Sequence, residues 1–144
     1  MPSKNIIAFL CSIFLLISCS KKEIDNQISY EIIDQSTLSY SDENKIPKQF
    51  KVFESENEWM DFLPVIERVN PDQAESLRNL KFDFTSNNLI FVIGEFYNYC
   101  CSEITIDKVY ENDGKIMVDF KESGPGSATA LSQAYLILKS QKIR

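Results

Sequence analysis

Hydrophobic positions change their period several times along the chain, and each change predicts a different element. Ile28, Tyr30 and Ile32 alternate with Ser29 and Glu31, the period of a first strand. Residues 36–47 are polar and predict a loop. Gln49 to Phe53 alternates again, with Phe50 and either Val52 or Phe53 inward. Ser55 with Glu58 three residues on is a capping-box pair. Trp59, Phe62, Leu63 and Ile66 then follow at i, i+3, i+4 and i+7, one face of a helix. Pro64 inside that pattern is expected to kink the helix or end it early. Asn70-Pro71 reads as an N-cap and N1 pair opening a second short helix to about residue 80.

From residue 88 onward the period is that of strands. Leu89 to Ile93 is continuously apolar, so this strand should be covered on both faces, and Gly94 closes it or allows a bulge. Residues 103–110 and 115–121 form a hairpin. A two-residue Asp113-Gly114 turn would set Phe120 against Asp107. A three-residue Asn112-Asp113-Gly114 loop instead pairs Tyr110 with Ile116, Ile106 with Phe120 and Glu111 with Lys115, and is the expected register. The last strand, 133–139, puts Ala134, Leu136 and Leu138 on one face and Tyr135 and Ile137 on the other. The class is α+β: an antiparallel sheet with one or two short helices in the N-terminal half.

The start of the chain follows different rules. Ile6 to Ile17 is apolar except for Ser12 and follows Lys4. At 1.5 Å per residue such a run spans about 18 Å, short of a bilayer core of about 30 Å. It predicts a secretory signal rather than a membrane span. Leu16-Ile17-Ser18-Cys19 matches the lipobox of bacterial lipoproteins, with a small residue beside the cut and a thiol to take the lipid. The match implies cleavage after residue 18 and a diacylglyceryl group on Cys19. Residues 19–27 are then a tether and residues 28–142 a single domain. The expected location is the bacterial cell envelope, membrane-anchored, on the outer membrane if the source is diderm.

Composition narrows the function. The chain has 144 residues and no histidine, which removes Ser-His-Asp, Cys-His and histidine–metal chemistry. Lys+Arg 15 against Asp+Glu 21 gives a formal net charge of -6, opposite to what a nucleic-acid partner requires. Of four cysteines, Cys11 leaves with the signal and Cys19 carries the lipid, so Cys100 and Cys101 are the remaining thiols.

The order of features resembles the PrcB-type lipoproteins, accessory subunits of a bacterial cell-surface protease complex. The resemblance runs over residues 28–142. It rests on Glu56-Asn57-Glu58-Trp59, Phe82-Asp83-Phe84, Asn88 to Gly94, the Gly124-Pro125-Gly126 loop and the closing Ala134-Tyr135-Leu136-Ile137 strand. Where that family carries a Thr-Gly-Gly-Tyr-like turn, this chain has Tyr97-Asn98-Tyr99-Cys100-Cys101-Ser102. The resemblance implies a lipid-anchored, non-enzymatic domain that holds or regulates a protein partner, with a secreted or surface protease as the partner class. No cofactor, metal or catalytic residue is expected.

Candidate chemistry gathers in two segments expected as loops, 96–102 and 123–132. Tyr97 and Tyr99 are aromatic anchors of the kind found at interface hot spots, or else they pack at a sheet edge. Gly124, Pro125 and Gly126 form a mobile or contact loop that lacks the lysine of a phosphate loop. Cys100 and Cys101 are a redox or soft-metal dithiol, a vicinal disulfide without a role, or one core and one loop cysteine. Asp107 and Asp119 are expected to face each other beside Lys121 on a solvated strand face, too few oxygens for calcium. Trp59 is expected in the core. Three functions follow from these features: a protein-binding accessory domain, a protease inhibitor, and a vicinal-dithiol redox protein.

Overall fold

The computed structural model describes residues 26–40, 45–124 and 126–142. The signal, Cys19 and Pro125 lie outside the described residues. The elements run β1 (Tyr30–Ser39), β2 (Gln49–Phe53), α1 (Glu56–Glu67), α2 (Pro71–Arg78), β3 (Asn87–Cys100), β4 (Ile104–Asn112), β5 (Lys115–Glu122) and β6 (Ala128–Gln141). An antiparallel four-stranded sheet has the order β1-β6-β3-β2, and β4 and β5 form a separate hairpin. The protein is α+β, as its hydrophobic periods predict.

Three layers result. Leu89, Phe91, Ile93, Tyr135 and Ile137 face α1 and α2, where they join Phe53, Trp59, Phe62, Leu63, Ile66 and Leu77. Ile90, Val92, Ala134, Leu136 and Leu138 face the hairpin, where they join Ile104, Val109, Ile116 and Val118. Leu89 to Ile93 are all 0% exposed, so β3 is covered on both faces.

Both helix starts are capped as expected. Ser55 Oγ accepts from the Glu58 N–H at 3.3 Å, and Asn70 Oδ1 accepts from the Gln73 N–H at 3.0 Å. Glu58 reaches back to the Glu54 N–H at 2.8 Å, one residue before the cap. Pro64 does not end α1, which continues to Glu67. Proline removes one backbone hydrogen bond. Here the buried stripe of Trp59, Phe62, Leu63 and Ile66 lies on both sides of Pro64, while Pro64 itself is exposed. Burial on both sides of the break holds the helix in line.

The remaining differences come from bulges and edges. Residues 36–39 continue β1 instead of forming a loop, because an edge strand holds its register through the β6 backbone while polar side chains face water. An extra residue at Ile33 shifts the register there. As a result Ile33 packs on the helix-side core, while Ile32 is 48% exposed. The β4–β5 turn has two residues, with Asp113 and Gly114 both at positive φ (51° and 73°) and Asn112 opposite Lys115. The objection to that turn is removed by a bulge between Ile106 and Lys108, which restores the Ile106–Phe120 pair. Residues 26–28, expected as tether and strand start, pair with β4: Ile28 N–H donates to Val109 O at 2.8 Å and Glu111 N–H to Asn26 O at 2.9 Å.

Candidate functional site

Of the candidate residues, Tyr97, Tyr99 and Cys100 lie along the far half of β3, and the chain reaches them through a bulge at Gly94. Ile93 pairs with Tyr135 and Phe96 with Gln133, so β3 carries one extra residue between these rungs. A bulge takes backbone groups out of the ladder, and buried ones need other partners. Two side chains supply them. The Glu122 carboxylate, 4% exposed, accepts the Glu95 N–H at 3.0 and 2.9 Å. Gln133, fully buried, donates its amide to Gly94 O at 2.7 Å and to Ile46 O at 2.6 Å, and accepts from the Tyr40 hydroxyl. Glu122 also takes the Ser102 hydroxyl at 3.1 Å and has Lys48 Nζ at 3.5 Å. Gly94 leaves room for this carboxylate, which a Cβ at that position would push aside.

Past the bulge the chain stays in the sheet. The expected loop 96–102 is strand as far as Cys100, and the expected loop 123–132 becomes β6 at Ala128. Pairing continues through Tyr97–Ser132, Tyr99–Thr129 and Cys100–Ala128, with a compensating extra residue on β6 before Ser132. Aromatic and polar residues at a sheet end pair through their backbone, and no side-chain period announces it. Phe96 turns back toward the core, edge-on to Tyr40 at 5.1 Å, with Lys45 Nζ 4.4 Å above its ring. Tyr97 is partly buried and Tyr99 is 50% exposed. Ser132 Oγ donates to Tyr99 O at 3.1 Å.

Cys100 and Cys101 are joined as a vicinal disulfide across a cis peptide bond, with Cys101 exposed. Gly126 packs directly on their shared backbone, and a Cβ at that position would collide with Cys100 O. Gly124 stands in open space. Ser123 closes the hairpin base: its N–H donates to Glu103 O at 2.9 Å, and its Oγ accepts the Glu103 N–H at 3.0 Å. The structure therefore brings Tyr99, the cystine, Gly126 and the start of β6 together at one end of the sheet. Cys101 also borders a cavity of about 350 Å³ with Gln35, Thr37, Glu103 and Tyr135.

Other expectations resolve locally. Trp59 is 2% exposed and packs on Phe53, Phe62 and Phe91 with ring centroids 5.2–6.2 Å apart. Asp107 does not face Asp119. It occupies the hairpin bulge and pairs with Lys121 at 2.8 Å, while Lys108 stands opposite Asp119. Among the described residues no three or more His, Cys, Asp and Glu side chains gather into a metal-binding group. No helix among them is long and apolar enough to cross a membrane.

Glu122 and Gln133 are the residues that sequence reasoning missed. The available signal was Gly94 inside an apolar strand, which marks a bulge. Its satisfying partners come from 28 and 39 residues further along the chain. Comparison with known proteins adds no relative: no family model matches the chain, and no curated protein or solved structure is significantly similar to it.

Proposed function

We propose that this is a lipid-anchored protein of the bacterial cell envelope whose α+β domain binds another protein and does no chemistry of its own. The observation that carries the reading is Tyr99. It is a half-exposed aromatic near the end of a strand whose residues 88–94 are all buried. Large amphipathic side chains on rigid supports make interface anchors, since little conformational freedom is lost on binding. The cystine and Gly126 lie beside it. The lipobox at Cys19 and the PrcB-type order of features support a membrane-held accessory role, with a secreted or surface protease as the partner class.

A photocrosslinking residue at position 99, introduced in cells, tests this reading. The expected result is a discrete adduct with one envelope protein, lost when the probe is moved to exposed Asp72. The reading fails if no adduct forms and Tyr99→Ala leaves the cellular phenotype intact. Metabolic labelling with a clickable fatty acid tests the anchor: label on the wild type and none on Cys19→Ala is expected. Stoichiometric inhibition of a secreted protease by the purified chain would assign it instead to the inhibitors.

A further inference from the structure

The two edges of the sheet are not alike. β1 and β2 are its outermost strands. β2 has five residues, follows Pro47 and Lys48 and carries Lys51, features that keep an edge from pairing with another chain. β1 has none of these over its second half. Beyond the bulge at Ile33 it runs through residues 34–39 in unbroken register with β6, without proline or lysine.

Hydrogen bonds show which groups this edge turns outward. Tyr40 N–H reaches Leu131 O at 3.1 Å, so even-numbered residues here face β6. Gln35, Thr37 and Ser39 therefore turn their backbone groups away from it. Two of those groups are taken by side chains: Gln35 N–H donates to Asp34 Oδ1 at 2.9 Å, and Ser39 O accepts from Asn70 Nδ2 at 2.9 Å. Between them, the Thr37 N–H and C=O have no partner among the described residues. The Gln35 and Thr37 side chains lie opposite Leu136 and Ala134, so they take the hairpin side. There they border the cavity of about 350 Å³ with Cys101, Glu103 and Ile104. Glu103 is exposed and forms no ion pair among the described residues.

We propose that the outer edge of β1 takes an extended segment of a partner protein as a fifth strand, with a lysine or arginine opposite Thr37. The backbone of that segment answers the Thr37 N–H and C=O, in the antiparallel sense of the rest of the sheet. Residues directly opposite share a face, so the basic side chain points to the hairpin side and meets the Glu103 carboxylate at the cavity. Its charge also suits a chain of net charge -6. A second copy of this chain does not fit: residues 30–39 hold no lysine or arginine, so β1 against β1 brings no cation to Glu103. The proposal rests on the reading that the domain binds protein but not on Tyr99. Crosslinking at residue 99 in cells and peptide binding to the edge can fail separately.

The test is fluorescence anisotropy with the full chain in mild detergent. The probe is a fluorescein-labelled, end-capped seven-residue peptide of alternating threonine and valine, with lysine in place of the central valine. A second probe has glutamate there instead. The lysine peptide should bind saturably, and the glutamate peptide at least about threefold more weakly. Thr37→Pro should weaken binding by about tenfold or more. Its urea midpoint should stay near that of the wild type, because a proline whose missing N–H faces outward costs the sheet no bond. Glu103→Lys should reverse the preference between the two peptides. Glu75→Lys, the same charge change at an exposed position on α2, should keep it. The proposal is overturned by no saturable binding at millimolar peptide, by unchanged binding in Thr37→Pro, or by an unchanged preference in Glu103→Lys. Self-association that Thr37→Pro abolishes, with no peptide bound, would overturn it in favour of a second copy.

Discussion

The two faces of the central sheet are built on different terms. The helix-covered face is aromatic: Phe53, Trp59, Phe62, Phe91 and Tyr135 interlock with centroids 5.2–6.2 Å apart. Its hydroxyls are answered, while the buried Trp59 Nε1 has no partner. Tyr135 gives its proton to Asp34 at 2.9 Å and accepts from Gln73 at 2.6 Å, while Tyr40 and Gln133 tie the 46 and 94 carbonyls together. The hairpin-covered face is aliphatic in its fully buried part, with Phe50 and Phe120 at its margin, and it carries the orphaned Asn88 and Ser140 and the cavity under the turn. One face is closed by large rings and satisfied hydroxyls. The other is closed by small branched side chains and left open at its end. The first face therefore holds the larger buried core.

Neighbouring residues of β3 give the sharpest break of that comparison. Phe91 points to the helices and Val92 to the hairpin, and both are 0% exposed. Phe91→Ala should cost about 3–5 kcal/mol, the usual range for an aromatic removed from a packed core. Val92→Ala removes far less surface and should cost about 1–2 kcal/mol. Urea unfolding of the two variants measures both values. Equal losses would mean that the hairpin face is as tightly closed as the helix face.

Next in size is the Glu122 clamp, which joins the hairpin to the sheet. Glu122→Ala leaves the Glu95 N–H and the Ser102 hydroxyl without their acceptor. The expected loss is about 1.5–3 kcal/mol, typical of hydrogen bonds to a charged group. Gly94→Ala should act in the same direction, since its methyl group displaces the same carboxylate. If the double variant loses no more than Glu122→Ala alone, the two act through one contact.

The faces should also separate with pH. Burial pushes the Tyr40 hydroxyl up from 10.0 to about 12, against a lowering contribution from the Ile46 backbone. Burial first, and then the neighbouring Asp34 charge, raises Tyr135 as well. In the unfolded chain these hydroxyls lose their protons near their ordinary value, while the folded chain keeps them. Stability is therefore present in full below pH 10 and falls as pH rises through about 12. Urea midpoints measured across that range should decline, and the decline should be shallower in Tyr40→Phe. Both tyrosines belong to the helix-side core, so alkaline loosening should begin there.

The same division explains what the sequence made legible. Side-chain period shows which face a residue takes: Leu89 to Ile93 and Ala134 to Leu138 distribute themselves between the two cores as the alternation predicts. Local chemistry shows the helix starts at Ser55 and Asn70. Bulges defeat both signals, because one extra residue reverses the alternation beyond it. Ile33, Asp107 and Gly94 each mark such a place. The roles of Glu122 and Gln133 were hidden for a further reason. Each satisfies a backbone group that a bulge created far away in the chain. The two-residue turn at Asp113-Gly114 conflicts with the side-chain alternation of β4 unless the bulge at Asp107 is taken into account.

The smallest expected effect tests how far the two faces are coupled. Ser55 caps α1 through a long 3.3 Å contact to the Glu58 N–H. Ser55→Ala should therefore cost at most about 1 kcal/mol, read as a small shift of the urea midpoint. Its neighbour Glu54 touches both sides of the sheet. The Glu54 N–H is bonded to Glu58 in the helix, and its carbonyl holds Lys142 at the cavity. If the faces are independent, the losses of Ser55→Ala and Val92→Ala should add in the double variant. A double variant that loses more than the sum would show that the state of the helix reaches the hairpin face.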